Sequence, residues 1–171
     1  VTTNLTSFFR ESHHFDFLRD EYLKQKVADA KGSRRLRIWC SAASTGEEPY
    51  SIAISVVEAI PDWERWDIRI LATDLDTNVL QTCVNGVYGD DRVRGMQKSR
   101  LDRFFDAVGD RDDRQYRVKP ELTRMISFRQ LNLMHPLPMK GPIDVVFCRN
   151  VIIYFDKDTQ RALFSRIAPL Q

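Results

Sequence analysis

The sequence contains few of the residues that build covalently stabilised proteins, since only 3 of its 171 residues are cysteine. An odd number of thiols does not complete a disulfide framework. Cys40, Cys83 and Cys148 each lie in or beside an apolar segment. These positions predict reduced, buried thiols, which are typical of a protein of the cytoplasm.

Long apolar runs and an excess of one charge are also absent. No run of 18 apolar residues occurs, and the opening residues lack the basic and then apolar pattern of a secretion signal. Lys and Arg number 26 against 24 Asp and Glu, and the formal net charge of +2 gives no long-range attraction to nucleic acid or an anionic membrane. With 43% hydrophobic residues, the chain can bury the core of one domain or slightly more. We therefore predict a globular protein of the cytoplasm.

What the sequence does contain is an alternation of strand and helix patterns. Asn4–Ala30 carries apolar residues near helical spacing, and β-rich runs followed by turns and helical stretches recur after it. The strand candidates are Leu36–Ala42, Asp67–Thr73 and Ile143–Cys148, and the helices after them are Tyr50–Ile60, Asn78–Val84 and Asp158–Ile167. This order predicts an α/β fold with a parallel sheet and helices on both faces.

The range 85–130 interrupts the alternation and looks inserted. It holds a helical stretch, Gln97–Phe105, and short β-prone runs at Gln115–Val118 and Met125–Phe128. The polar tip Gly109–Arg114 predicts a hairpin loop in a small antiparallel subdomain. The predicted division of the chain is therefore 1–84 for the first part of the main domain, 85–130 for the inserted β-subdomain and 131–171 for the continuation of the main domain.

The loops after the strands are the candidate ligand site, because open α/β sheets bind ligands beyond the carboxyl ends of their strands. The first such loop, Ser41–Glu48, has one glycine where a dinucleotide fold shows three, and its two carboxylates would repel a pyrophosphate. A cationic or neutral ligand suits it better. The alternative interpretation is structural, with Ser44 and Thr45 capping the next helix.

Acids follow the second strand, and polar residues follow the third. Asp74 can accept both hydroxyl hydrogens of a ribose diol, whereas the Asp76-Thr77 pair favours a helix cap for Asp76. After the third strand, Arg149, Asn150 and Tyr154 are the polar residues of the apolar run 148–155. Taken alone, that run also fits core packing with Arg149 as a surface charge.

Five motifs in order resemble the chemotaxis receptor methyltransferases of the CheR family. They are Thr-Asn-Leu-Thr-x-Phe-Phe-Arg-Glu at 3–11, Ala-Ser-Thr-Gly-Glu-Glu-Pro-Tyr-Ser at 43–51, Thr-Asp-Leu-Asp at 73–76, Asn-Leu at 132–133 and Phe-Cys-Arg-Asn-Val-x-Ile-Tyr-Phe at 147–155. The resemblance spans nearly the whole chain. It implies a class I S-adenosylmethionine-dependent methyltransferase fold, Rossmann-like, with a small inserted antiparallel β-subdomain.

The resemblance also implies a set of site residues and no metal. The implied contacts to S-adenosylmethionine are Asn4, Thr6, Arg10, Glu48, Asp74, Asn132, Leu133, Arg149 and Asn150. Asp74 would hold the ribose, Asn132 and Leu133 would lie near the adenine, and the opening segment and Glu48 would approach the methionine end. Arg10 and Tyr154 are the implied catalytic residues near the transferred methyl group.

By the same resemblance, the activity is methylation of glutamate side chains on chemoreceptors to methyl esters. The implied partner is the cytoplasmic domain of a methyl-accepting chemoreceptor, whose C-terminal peptide could dock on the inserted subdomain, with neither nucleic acid nor membrane insertion. A glutamate is already ionised at neutral pH, so no general base is needed. A non-catalytic cofactor-binding signalling or scaffold module is the alternative. The lack of a Gly-x-Gly-x-x-Gly fingerprint argues against a nicotinamide oxidoreductase.

The family normally has a helical amino-terminal domain, and class I sheets usually continue after the third of these strand and helix units. The sequence is therefore expected to be a catalytic-domain fragment, truncated at its C-terminus.

Overall fold

The computed structural model describes residues 8–9, 12–29, 34–131 and 142–148, together with the backbone of 151–154. The strands are β1 (Arg35–Cys40), β2 (Asp67–Asp74), β3 (Val87–Gly89), β4 (Phe105–Val108), β5 (Gln115–Val118), β6 (Ile126–Gln130), β7 (Val145–Cys148) and β8 (Val151–Tyr154). The α-helices are α1 (Ser12–Phe17), α2 (Leu23–Ala28), α3 (Glu47–Ala59), α4 (Thr77–Asn85), α5 (Asp90–Val93), α6 (Lys98–Phe104) and α7 (Pro120–Thr123). A π-helical turn covers Leu18–Tyr22, and 3₁₀ turns cover Trp63–Arg65 and Arg111–Asp113.

The main sheet has the strand order β6-β2-β1-β7-β8, and its first four strands are parallel. Ile70, Leu71 and Ala72 of β2 are buried in succession, which is typical of a parallel strand covered on both faces. The predicted α/β fold with a parallel sheet is confirmed. The fifth strand, β8, returns antiparallel to β7, with Cys148 paired to Val151 and Val145 to Tyr154.

Helix α3 is the buried centre of the domain and joins β1 to β2. Tyr50, Ile52 and Ile54 are fully buried, and ten of the helix's 13 residues are buried. Its two buried serines need no outside partner, because Ser51 and Ser55 donate their hydroxyls to the carbonyls four residues before them at 2.7 and 2.9 Å. This helix therefore fixes the position of the loop from which it starts.

The opening segment differs in part from the helical pattern predicted over 4–30. Within the described residues, Phe8 and Phe9 form a turn, Phe9 has a left-handed φ of +58°, and helix begins at Ser12. Both rings pack inward: Phe8 is buried against Tyr88 and Phe105, and Phe9 lies against Phe15. The prediction that these apolar side chains pack inward was correct, but the Phe8 and Phe9 rings anchor a turn and not a helix.

The inserted range forms a separate antiparallel sheet with the order β3-β5-β4. The hairpin predicted around residues 109–114 joins β4 to β5, and Gly109 supplies its φ of +82°. The strand predicted at Met125–Phe128 forms, but its placement in the small subdomain was wrong, because β6 pairs in parallel with β2 in the main sheet. The short helix α7 carries the chain back to that edge, where Ile126 is buried opposite Ile70. The exact domain boundaries stay a prediction.

The cysteines are only partly as expected. Cys40 and Cys83 are buried, whereas Cys148 is exposed, because it ends β7 at the rim of the sheet. Among the helices that the structure describes, none has the length and apolar character needed to cross a bilayer.

Candidate functional site

The loops after β1 and β2 meet at the carboxyl edge of the main sheet, as the sequence predicted, and the described end of β7 lies beside the loop after β1. The Ser41 amide donates to the Phe147 carbonyl at 2.9 Å, and the Ala43 amide donates to the Thr73 carbonyl at 2.8 Å. The Leu131 amide, just after β6, donates to the Asp74 carbonyl at 2.8 Å. These bonds tie four strand ends into one connected rim.

Asp74 ends β2 at the centre of this rim and is held by two backbone amides. Its Oδ2 accepts from the Ser44 amide at 2.9 Å, and its Oδ1 accepts from the Asp76 amide at 3.0 Å. A carboxylate has about four lone-pair positions, so each oxygen retains capacity for another donor. The side chain is half-buried and fixed in orientation, which suits it to receive a pair of hydroxyl groups.

Asp76, two residues further on, has a different role. It is exposed and caps α4, because its Oδ1 accepts from the Asn78 amide at 2.8 Å. The capping interpretation of Asp76 is therefore confirmed. The neighbouring Leu75 is 69% exposed, which makes it an uncovered apolar side chain beside Asp74.

The loop from β1 to α3 has an unusual backbone. Ser44 and Gly46 take left-handed φ values of +51° and +104°. At Gly46 a Cβ atom would overlap the Tyr88 hydroxyl and lie 3.2 Å from Cys83 Sγ, so a side chain at this position is excluded. The capping interpretation of Ser44 and Thr45 was wrong: Gly46 is the N-cap of α3, and no side chain caps it.

The two acids that open α3 have different surroundings. Glu47 is 1% exposed and its Oε2 accepts from Arg92 at 2.7 Å. Glu48 is half-buried, and its contact is with the Cys40 thiol, whose Sγ lies 3.6 Å from Oε1. Among the described residues no cationic side chain lies within 4 Å of Glu48, so its charge is not neutralised there.

Burial raises the pKa of Glu48 above its ordinary value, while the hydrogen bond from Cys40 lowers it. Burial also raises the pKa of the Cys40 thiol, and the adjacent Glu48 carboxylate adds to the increase. A shielded carboxylate without a counter-ion is costly to keep ionised. A cationic ligand at this rim would remove that cost.

The remaining predicted site residues are not described at side-chain level. Asn4, Thr6, Arg10, Asn132, Leu133, Arg149 and Asn150 lie outside the described residues. Tyr154 is described by its backbone alone, which pairs with Val145 at the start of β7. The structure therefore brings Glu48 and Asp74 to one rim. The roles of Tyr154 and of the other residues stay predictions.

Sequence reasoning missed the residues that shape the rim without facing a ligand. Tyr88 donates its hydroxyl to the Thr45 carbonyl at 2.7 Å, and the Cys83 thiol lies 3.1 Å from the Ser44 carbonyl. Arg92 pairs with Glu47 from 45 positions away. No local pattern signals contacts of this separation.

The residues present fit the cofactor that the motifs imply. The oriented carboxylate of Asp74 can accept hydrogen bonds from a ribose diol, the carboxylate of Glu48 can pair with a cation, and Leu75 offers an apolar contact. Together, fold and rim define a class I methyltransferase type of α/β domain. The chain belongs to the family described as "CheR methyltransferase, SAM binding domain", whose model matches residues 4–170.

Three curated relatives are similar to this chain over almost its whole length. The chain is 45% identical to "Chemotaxis protein methyltransferase 2" of Pseudomonas aeruginosa, with 99% of this chain and 59% of the relative aligned. It is 41% identical to "Probable chemotaxis protein methyltransferase" of Rhizobium etli, covering 99% and 63%, and 39% identical to "Chemotaxis protein methyltransferase" of Escherichia coli, covering 99% and 57%. The chain thus spans between 57% and 63% of the length of these relatives.

Proposed function

We propose that the protein to which this chain belongs transfers methyl groups from S-adenosylmethionine to glutamate side chains of chemoreceptors in the cytoplasm. The observation that carries the proposal is the pair of carboxylates at the carboxyl edge, Asp74 and Glu48, neither of which has a cationic partner within 4 Å in the described part of the chain. The family and the names of the relatives support the same activity.

In this proposal each carboxylate takes one part of the cofactor. Asp74 accepts the ribose hydroxyls, because the Ser44 and Asp76 amides already fix the direction of its oxygens. Glu48 faces the cationic methionine end, where a positive charge would offset the burial that raises its pKa. Leu75 contributes apolar surface beside the ribose. Asn4, Thr6, Asn132, Leu133, Arg149 and Asn150 complete the proposed contacts.

When bound, S-adenosylmethionine would supply a sulfonium methyl group. A receptor glutamate oxygen would bond to the methyl carbon as the carbon–sulfur bond breaks, which gives a glutamate methyl ester and S-adenosylhomocysteine. The protein's main task is then to exclude water and align the two reactants. We assign Arg10 to orienting the acceptor carboxylate and Tyr154 to a hydrogen bond near the methyl group. Neither role requires a general base, since the acceptor is ionised at neutral pH.

The small sheet is the proposed docking place for the receptor. Its order β3-β5-β4 leaves the outer sides of β3 and β4 without a strand partner among the described residues. An extended receptor C-terminal peptide could add to such an edge through backbone hydrogen bonds. Asp106 and Ala107 on β4 are exposed, so that edge is accessible in the described part of the chain.

Methyl transfer to a purified receptor tests the proposal. A protein extended to the length of the relatives is incubated with receptor and methyl-labelled S-adenosylmethionine, and label released as methanol by alkali reports methyl esters. We expect release that depends on receptor glutamates. Binding of the cofactor with no transfer to any receptor would contradict methyl transfer and support a cofactor-binding signalling module.

A further inference from the structure

One segment of the inserted range, β3 with α5, contacts the β1–α3 loop and the first residue of α3. The Tyr88 hydroxyl donates to the Thr45 carbonyl at 2.7 Å, and Arg92 Nη1 donates to Glu47 Oε2 at 2.7 Å. Tyr88 is 4% exposed and Glu47 is 1% exposed, so water does not compete freely for these bonds. The two contacts bracket Gly46, the residue at which α3 begins.

The Tyr88 ring is held on several sides, which fixes the direction of its hydroxyl. It packs edge to face against Phe8 at 4.9 Å and against Tyr50 at 6.2 Å between ring centroids. Burial raises the pKa of Tyr88 far above its usual range, so the hydroxyl stays protonated and remains a donor. Gly46 lies directly under this hydroxyl, where a Cβ atom has no room.

The same inserted range also holds the opening segment. The Phe8 ring lies between Tyr88 and Phe105, and the Arg100 guanidinium lies 4.1 Å from the centre of the Phe9 ring. The Phe9 amide donates to Ser51 Oγ on α3 at 3.0 Å. Both segments that carry proposed cofactor contacts before residue 50 are therefore anchored on the range 87–105.

We propose that Tyr88 and Arg92 are positioning residues that hold the β1–α3 loop in its cofactor-binding conformation. The left-handed Ser44 must stay in place for its amide to orient Asp74, and such a backbone persists only where its surroundings fix it. Tyr88 fixes the loop at the next residue, and Arg92 fixes the first turn of α3, beside Glu48. The effect on the cofactor rests on the proposed function; the effect on the loop does not.

The test uses variants that remove one contact, and the Tyr88 variant has a matched control. Tyr88→Phe deletes the hydroxyl, and its control is Tyr116→Phe, because Tyr116 lies directly opposite Tyr88 in the small sheet and its hydroxyl has no hydrogen bond in the described part of the chain. Arg92→Lys keeps the charge but loses the guanidinium geometry. Because loss of the Arg92 charge alone leaves the buried Glu47 carboxylate without its ion pair and could prevent folding, the double variant Arg92→Met with Glu47→Gln is a second way to remove the ion pair.

Two measurements distinguish an effect on the conformation of the loop from an effect on ligand binding. Amide hydrogen exchange without ligand reports the Ser44 and Gly46 amides, which bond to Asp74 and to the Ala43 carbonyl. We expect exchange at both to be about five- to tenfold faster in Tyr88→Phe, with the β1 amides unchanged. Calorimetric titration with S-adenosylhomocysteine should show about five- to tenfold weaker binding in Tyr88→Phe and in the double variant, and wild-type affinity in Tyr116→Phe. Arg92→Lys is expected to lie between.

Each result decides one part of the inference. If loop exchange in Tyr88→Phe and in the double variant matches Tyr116→Phe, the positioning role is overturned whatever the ligand does. If exchange is faster but affinity is unchanged, the role in cofactor binding is overturned. If the wild-type protein does not bind S-adenosylhomocysteine, the proposed function fails, together with the proposed effect on the cofactor, and loop positioning is decided by exchange alone.

Discussion

The two edges of the main sheet differ in how their carboxylates are neutralised. At the amino edge, Asp67 lies 2.7 Å from Arg37, and Asp144 lies 3.1 Å from Lys26 and accepts the Arg37 amide at 2.8 Å. At the carboxyl edge, Asp74 is held by amides alone and Glu48 contacts a thiol, with no cationic side chain within 4 Å of either in the described residues. These two amino-edge acids serve the fold, whereas Asp74 and Glu48 at the carboxyl edge remain able to bind a ligand.

The pKa directions follow the same difference. Arg37 lowers the pKa of Asp67, so this ion pair stabilises the fold above the unfolded-state pKa and that contribution is lost as pH falls through the folded-state pKa. Burial raises the pKa of Glu48, so the folded state binds its proton more tightly than the unfolded state does. The contribution of Glu48 to stability is present below its ordinary pKa of 4.5 and is lost as pH rises through the folded-state pKa.

The largest expected effect is at Asp74. Asp74→Ala removes the acceptor of two proposed ribose bonds, worth about 1.5–3 kcal/mol each, so S-adenosylhomocysteine binding should weaken by at least about 100-fold. Asp74→Asn, which keeps one oxygen for the Ser44 amide, should preserve the fold better and still lose most affinity. Calorimetric titration measures both, and an affinity within threefold of wild type in either variant would remove Asp74 from the site.

The second-largest expected effect is a loss of stability at Asp144, on the amino edge of the sheet. Asp144 is 8% exposed, and Asp144→Asn leaves Lys26 without its counter-ion. We expect a loss of about 2–3 kcal/mol in the free energy of unfolding, measured by urea denaturation. The affinity of the folded protein for S-adenosylhomocysteine should not change. A clear loss of affinity would show that the two edges are not independent.

Glu48→Gln should have opposite effects on binding and stability. We expect about tenfold weaker S-adenosylhomocysteine binding, because a charged contact is lost, and a gain of about 0.5–1 kcal/mol in unfolding free energy at neutral pH, because the buried charge is gone. In wild type, affinity should fall as pH drops through the raised pKa of Glu48; in the variant, this component should be absent. Equal pH profiles would show that Glu48 does not face the ligand's cation.

The smallest expected effect is at Asp76, which lies at the same edge as Asp74 but serves the fold. Asp76→Ala removes the cap of α4 and should lower the unfolding free energy by about 1 kcal/mol. Thermal or urea unfolding measures that loss, and titration should show unchanged affinity. A loss of affinity comparable to that of Asp74→Ala would mean that both acids bind the ligand.

The sequence predicted the elements whose apolar patterns are long enough to be unambiguous. Helix α3, helix α4 and strand β2 lie within a few residues of their predicted limits, because each buries a continuous or periodic apolar set. β6 was placed in the wrong sheet, because the pattern of its five residues predicts a strand but does not indicate which strand it pairs with. β3, α5 and α7 were missed because each has three or four residues.

The site could be predicted where a residue's position after a strand determines its role. Asp74 follows from the rule that ligands lie beyond the ends of parallel strands. The resemblance named Glu48, but reasoning from the residues alone could not tell Glu47 from Glu48. What separates them is Arg92, which lies 45 positions from Glu47 and is brought there by the inserted range. Cys148 was expected to be buried from its apolar neighbours, whereas its place at the end of β7 leaves it exposed.

The most direct test of the account is calorimetric titration of S-adenosylhomocysteine into wild type, Asp74→Asn and Asp144→Asn, both for this chain and for a protein extended to the length of its relatives. The account predicts saturable binding that is largely lost in Asp74→Asn and retained in Asp144→Asn. Absence of binding by the folded, extended wild-type protein, or binding that is indifferent to Asp74, would contradict it.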